Sequence, residues 1–206
     1  KNTKVLSIKK AIRIKKKFEY LGKYFKRKVK CVITNGSQPI GNGIGPVLEL
    51  MDIIKILDPK QEGPLDLEKK AIFLAGNLFE MTGKAKKSQG LKLAREILVS
   101  GRAYKKFEQI IKAQNGKIKP LQKAKFQHNL LAKSEHKIIE IDNKKINTLA
   151  RIAGSPADKS AGLYLYKHVG ERAKKGEKLL TIYSESKNKL KNAVSFYKES
   201  KPIRFR

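Results

Sequence analysis

Apolar residues recur at helical spacing from the start of the chain. Val5, Ile8, Ala11, Ile12, Ile14, Phe18, Leu21, Tyr24 and Phe25 form a stripe over residues 5–27, with lysines on the outer face. The period then shortens. Val29, Cys31, Val32 and Ile33 read as a buried strand over 28–34. A glycine-rich loop follows (Gly36, Gly41, Gly43, Gly45) and runs into Pro46. Proline suits the first position of a helix, where no amide hydrogen is needed, so a helix is expected over about 46–57. Asp58, Pro59, Gly63 and Pro64 break it. Asp66 is the expected N-cap of a helix over 67–82, and Gly83 stops it. Further helices are expected over 89–100, beginning at Ser88 and ended by Gly101, and over 102–114, closing at Asn115–Gly116.

Residues 117–132 are weakly patterned and read as a connector. Beyond them the pattern turns to short strands at Ile138–Ile141, Leu163–Val169 and Leu179–Tyr183, punctuated by Gly154, Pro156, Gly162, Gly170 and Gly176. Residues 187–200 read as a closing helix. The expected organisation is a mostly helical α/β unit over 1–116, the connector over 117–132, and a small α+β domain over 133–206.

Composition narrows the function classes. The chain has 206 residues, 40% of them hydrophobic, enough for a real core. No run approaches the roughly 20 apolar residues of a membrane span, and the charged N-terminal stretch has no apolar segment after it, so it does not read as a signal peptide. One cysteine, Cys31, permits no disulfide within the chain and suits a cytoplasmic protein. The net charge of +30 changes the picture most, because such a charge is the footprint of nucleic-acid binding. Yet the excess is mainly lysine and is spread along the chain, with no helix-turn-helix, zinc-finger or aromatic RNA-binding spacing. A lysine-rich composition explains it as well, so no specific nucleic acid is expected.

Candidate chemistry centres on the glycine loop. A loop of this kind before a helix can bind an anion through free amides and the helix dipole, or can simply pack the helix tightly on its neighbour. Glu49 and Asp52 lie three apart on one helix face, as an acid–base pair or as surface charge. His128, His136 and His168 are scattered without ligand spacing. Arg151, Asp158 and Lys159 lie in a glycine-bearing stretch that reads as structural. No catalytic residue is assigned.

The string QPIGNGIGP followed by Leu48–Glu49 carries a resemblance. So do Glu96, Ile97, Leu98, Ser100, Gly101, Ala103, Lys106, Phe107, Ile110, Ile111, Ala113, Gln114 and Gly116, and the block from Ile138 to Ser186. Together these resemble the thymidine and pyrimidine-nucleoside phosphorylases, and the archaeal AMP phosphorylases most. The match runs in order along nearly the whole chain. It implies a partial nucleoside phosphorylase α/β domain followed by that family's C-terminal domain. Val169–Leu179 is also similar to lipoyl and biotin carrier domains, which implies a compact β barrel or sandwich; no lysine at a hairpin tip suits a carrier role.

The resemblance implies phosphorolysis of a nucleoside or nucleoside 5′-monophosphate, with phosphate as co-substrate. It also implies that this chain corresponds to the C-terminal half. The phosphate loops and the proton donor lie in the family's N-terminal half, so that half is an expected partner, and a homo-oligomer is expected. In pyrimidine-nucleoside phosphorylases a potassium ion sits near the phosphate site. By that resemblance its ligands here are the carbonyls of Ile40 and Gly43 and the carboxylate of Asp52, where the family has glutamate. Two other readings stand beside the enzyme: a non-catalytic assembly module, and a basic nucleic-acid-binding protein whose lysines gather on one face.

Overall fold

The computed structural model describes Val5 and residues 7–206. Helix α1 (Ile8–Tyr24) begins at Ser7, whose side chain accepts from the Lys10 amide. Strand β1 (Gly43–Ile44) leads directly into α2 (Pro46–Leu57), with Pro46 in the first turn as expected. Helices α3 (Leu65–Met81), α4 (Gly90–Val99) and α5 (Arg102–Ala113) follow. Helices α3 and α4 meet at two glycines. A Cβ on Gly90 would fall 2.1 Å from the Gly76 carbonyl oxygen, so only glycine allows that approach.

The second part contains β2 (Phe126–Leu131), β3 (His136–Ile141), α6 (Asn143–Ala153), β4 (Gly162–Leu165), β5 (Arg172–Ala173), β6 (Lys178–Ser184), α7 (Lys187–Ser200) and β7 (Ile203–Phe205). Two antiparallel sheets result, ordered β1-β4-β6-β2 and β5-β3-β7. Both are open at their ends, so the strands form no closed barrel of the lipoyl type among the described residues. The architecture is mixed helix and antiparallel sheet. Its main core lies here, where Leu163, Leu165, Leu180 and Ile182 of β4 and β6 meet Ile146 and Leu149 of α6, Ile138 and Ile141 of β3, and Ala193 of α7.

Three elements differ from the sequence pattern. Residues 28–36 form no strand: among the described residues no main-chain hydrogen bond joins them to another segment. Val29 and Ile33 are exposed, and Cys31 is half-buried. A strand exists only through its neighbours, and none of the described strands lies beside this run. Residues 126–131, inside the expected connector, form β2 along the edge of β6. Residues 143–153, which carried no helix expectation, form α6, capped by Asp142 through the Lys144 and Lys145 amides.

Burial is lopsided. Among the described residues before 117 the buried hydrophobic ones are Leu48, Ile72 and Ala94, together with Pro64. Tyr24, Phe25, Leu78 and Val99 stay exposed. No helix among the described residues is long and apolar enough to cross a membrane.

Candidate functional site

The glycine loop is held from within by three carboxylates. Asp52, on the second turn of α2, is only 1% exposed. Its Oδ2 accepts from the amides of Asn42 at 2.7 Å and Gly43 at 2.6 Å. Glu49 Oε1 accepts from the Gly45 amide at 2.9 Å, while the Glu49 amide donates to the Gly45 carbonyl at 2.8 Å, a reciprocal cap on the helix start. Asp66 accepts from the Gly41 amide at 3.2 Å. The loop needs its glycines for geometry. Gly41 and Gly45 have φ of 72° and 124°, and a Cβ on Gly43 would fall 2.3 Å from the Leu48 carbonyl oxygen.

These bonds bear on the two readings left open for the loop and for Glu49 and Asp52, and revise one expectation. The amides at 41, 42, 43 and 45 already serve the protein's own carboxylates, so the loop is not an open anion cradle. An added anion would face the buried Asp52 charge at short range. Glu49 and Asp52 each hold loop amides, through Glu49 Oε1 and Asp52 Oδ2, and so serve the loop's geometry rather than stand as surface charge. Asp66 is not a helix cap. Helix α3 begins two residues earlier with Pro64 at the cap position, and Asp66 reaches back to the loop.

On its other side the loop is bound to the C-terminal part. Gly43 and Ile44 pair with Tyr164 and Leu163 as β1 joins β4. The Leu165 amide donates to the Asn42 carbonyl at 2.8 Å, and the Val47 amide to the Lys159 carbonyl at 3.1 Å. The Asn42 side chain lies between Tyr164, whose hydroxyl is 3.3 Å from Nδ2, and His168, whose Nε2 is 2.9 Å from Oδ1. With Oδ1 accepting, the imidazole hydrogen sits on Nε2. Lys55 donates to the Tyr164 hydroxyl at 3.4 Å. The Val169 amide donates to Gln38 Oε1 at 2.8 Å, and Asn143 Nδ2 to the Gly36 carbonyl at 3.0 Å. On the same sheet face, burial and the neighbouring Tyr166 push the Tyr183 phenol up to about 12.

The other flagged residues lie elsewhere. His128 is exposed on β2, and exposed His136 bonds Ser134. Arg151 is in the last turn of α6, and Asp158 pairs with Lys189 at 2.8 Å. Among the described residues no group of three His, Cys, Asp or Glu side chains could hold a metal. Sequence reasoning missed Asn42, Lys55, Tyr164 and His168 as a set. They are brought together across more than 100 residues, and no local spacing signals that.

Of the expected cation ligands, Asp52 fits a cation in one respect. Asp52 Oδ2 is engaged, but Oδ1 is buried with no hydrogen-bond partner. A buried carboxylate oxygen left unpaired is costly, and a hard cation is one partner that would satisfy it. Ile40 and Gly43 belong to the loop whose Asn42 and Gly43 amides Asp52 holds. The shorter Asp side chain is long enough to reach the loop.

Residues 137–204 match the pyrimidine nucleoside phosphorylase C-terminal domain. The chain is 40% identical over 193 residues to a protein of Legionella pneumophila named "Putative thymidine phosphorylase", covering 94% of this chain and 37% of that protein. It is 40% identical over 205 residues to the AMP phosphorylase of Methanosarcina mazei, covering 98% of this chain and 40% of that enzyme. The AMP phosphorylase of Methanococcoides burtonii is 39% identical over 205 residues, with the same coverage. The chain thus spans about two-fifths of the length of these relatives, rather than half.

Proposed function

The chain belongs to the thymidine and pyrimidine-nucleoside phosphorylase family, and on that premise we propose that it works in phosphorolysis of a nucleoside or nucleoside 5′-monophosphate. Inorganic phosphate attacks the anomeric carbon, the glycosidic bond breaks, and the base leaves with a proton from an acid. With AMP the products are adenine and ribose 1,5-bisphosphate; with thymidine they are thymine and deoxyribose 1-phosphate. The observation that carries this reading is 40% identity to named phosphorylases over 94% and 98% of the chain.

In this reading the groups that touch phosphate and base come from polypeptide corresponding to the other three-fifths of the relatives, on the same chain or a separate one. The residues described above hold the site's wall. Asp52, Glu49 and Asp66 fix the loop, and His168 and Tyr164 brace Asn42 from the C-terminal part. The carbonyls of Ile40 and Gly43 and the free Oδ1 of Asp52 would hold a monovalent cation such as potassium. That ion would supply positive charge near bound phosphate. A cytoplasmic homo-oligomer belongs to the same proposal.

The test is phosphate-dependent release of base from AMP, thymidine and uridine. It is run with the chain alone and with a chimera in which this chain replaces the matching two-fifths of the Methanosarcina mazei AMP phosphorylase. We expect release by the chimera only, with the preferred substrate identified by rate. A folded chimera that releases no base would sink the reading. Activity of the chain alone would overturn the assignment of the catalytic groups to the other polypeptide.

A further inference from the structure

The chain contains three Asn–Gly sequences, at Asn35, Asn42 and Asn115. We propose that Asn35 is a site of spontaneous deamidation, left open to ring closure while the fold locks the other two. The inference goes beyond the phosphorylase reading and does not depend on it.

Asparagine before glycine is labile because no Cβ on the next residue shields its amide nitrogen. The Gly36 nitrogen gives up its proton to solvent and attacks Cγ of Asn35. The new N–Cγ bond closes a five-membered imide. The Cγ–Nδ2 bond breaks, and ammonia leaves with a proton from water. Water then opens the ring. Cleavage at Cγ gives aspartate; cleavage at the main-chain carbonyl carbon gives isoaspartate, with the chain rerouted through the side chain. Water enters, ammonia leaves, and nothing is oxidised or reduced.

Hydrogen bonds lock two of the sequences. The Gly43 amide donates to the buried Asp52 Oδ2 at 2.6 Å, and a nitrogen held by a carboxylate resists losing its proton. The Asn42 side chain is itself held between Tyr164 and His168. The Gly116 amide donates to the Ile111 carbonyl at 2.8 Å in the turn that ends α5, with Asn115 at φ 57°. Asn35 differs. It is exposed, and the Gly36 amide makes no hydrogen bond among the described residues. The Ser37 amide lies 2.9 Å from Asn35 Oδ1, the oxygen that takes up negative charge when Cγ is attacked. Lys69 and Lys70 line the same cleft as Asn35, and ammonium groups there favour both that oxyanion and the product carboxylate. Asp66 shares the cleft but is turned to the Gly41 amide. The product carries a new negative charge directly before Gly36, whose carbonyl Asn143 holds.

Peptide mass spectrometry tests this on the chain held in mildly alkaline buffer, both folded and unfolded in guanidinium chloride. Exchange of the side-chain NH2 for OH raises a peptide's mass by about 1 Da. Cleavage after lysine leaves Asn35 and Asn42 in one peptide, 31–55, where fragment ions tell them apart, and Asn115 in another. Unfolded, the three should convert at similar rates, since glycine follows each. Folding should slow Asn42 and Asn115 by on the order of 10-fold or more, because each must first open the bonds that hold it, and should leave Asn35 within about threefold of its unfolded rate.

A folded chain that slows Asn35 as much as Asn42 would overturn the proposal. So would faster conversion of Asn115 than of Asn35. Gly36→Ala sets a methyl group beside the attacking nitrogen and should slow Asn35 by on the order of 10-fold, folded or unfolded, with Asn115 unchanged. An unchanged rate at Asn35 in that variant would mean that water attacks the side-chain amide directly, and would overturn the ring-closure step on which the proposal stands.

Discussion

Asp52 combines near-complete burial, two short bonds to loop amides and one oxygen without a partner. Asp52→Ala would strand the amides of Asn42 and Gly43, and each buried unpaired donor costs on the order of 1–3 kcal/mol. Urea unfolding should therefore show a loss of several kcal/mol. Asp52→Asn keeps one acceptor oxygen and should be milder. The same pair of proteins tests the cation. If Oδ1 holds potassium, potassium chloride should raise the Tm of the wild type above that given by a matched concentration of a bulky organic cation, and Asp52→Asn should erase the difference. An equal response in both would remove the ion from this carboxylate. Sequence singled out Asp52 by its spacing from Glu49 and, through resemblance, as a metal ligand. Its grip on the loop amides depends on how α2 folds back under Gly43, and spacing does not report that. Asn42 and His168 were silent for the same reason: their contact exists only after β1 has joined β4.

Elements stabilised by their own sequence were the legible ones. Helices α2, α5 and α7 lie within a residue of their expected spans, because proline, glycine and amphipathic periodicity are local signals. Residues 28–34 misled because β-branched composition states a preference while a strand needs a partner. Helix α6 was legible but overlooked: Ile146, Leu149, Ala150 and Ala153 keep helical spacing, all are buried, and Asp142 stands where a cap belongs. Gly154, Pro156 and Gly162 after it drew the reading toward loop. The Asp142 carboxylate accepts from the Lys144 amide at 2.9 Å and the Lys145 amide at 3.1 Å. Asp142→Ala should cost about 1 kcal/mol, the usual price of losing such a cap. A shift in the urea midpoint with unchanged slope would show it. Because α6 packs into the main core, loss of the cap should appear in the single cooperative transition of the C-terminal part. A separate fraying step would mean that the helix is not coupled to that core.

At the scale of the whole molecule, charge is unbalanced for a reason visible in the bonds. The chain has 48 lysines and arginines against 18 acids, and many acids are committed to main-chain donors. Asp52, Glu49 and Asp66 hold the loop, Asp142 caps α6, and Glu171 accepts from the His168 amide. Ion pairs among the described residues are few and partly exposed, as in Lys15–Glu19 and Arg172–Glu135, and exposed pairs contribute about 0–1 kcal/mol each. Most lysines therefore face water and one another. Two electrostatic effects then compete as salt is added: screening weakens the ion pairs, which destabilises, and weakens the repulsion, which stabilises. Repulsion should win here, since uncompensated cations far outnumber paired ones. The Debye length falls from about 30 Å at 0.01 M to about 10 Å at 0.1 M, less than the width of the molecule. The Tm should accordingly rise as sodium chloride increases across that range. Sodium sulfate at equal ionic strength should raise it further, because the divalent anion also collects at the lysine-rich surface and is excluded from apolar surface. Differential scanning calorimetry decides the matter by sign. A falling Tm would mean that the ion pairs outweigh the repulsion, and that the exposed lysines are spaced widely enough to ignore one another.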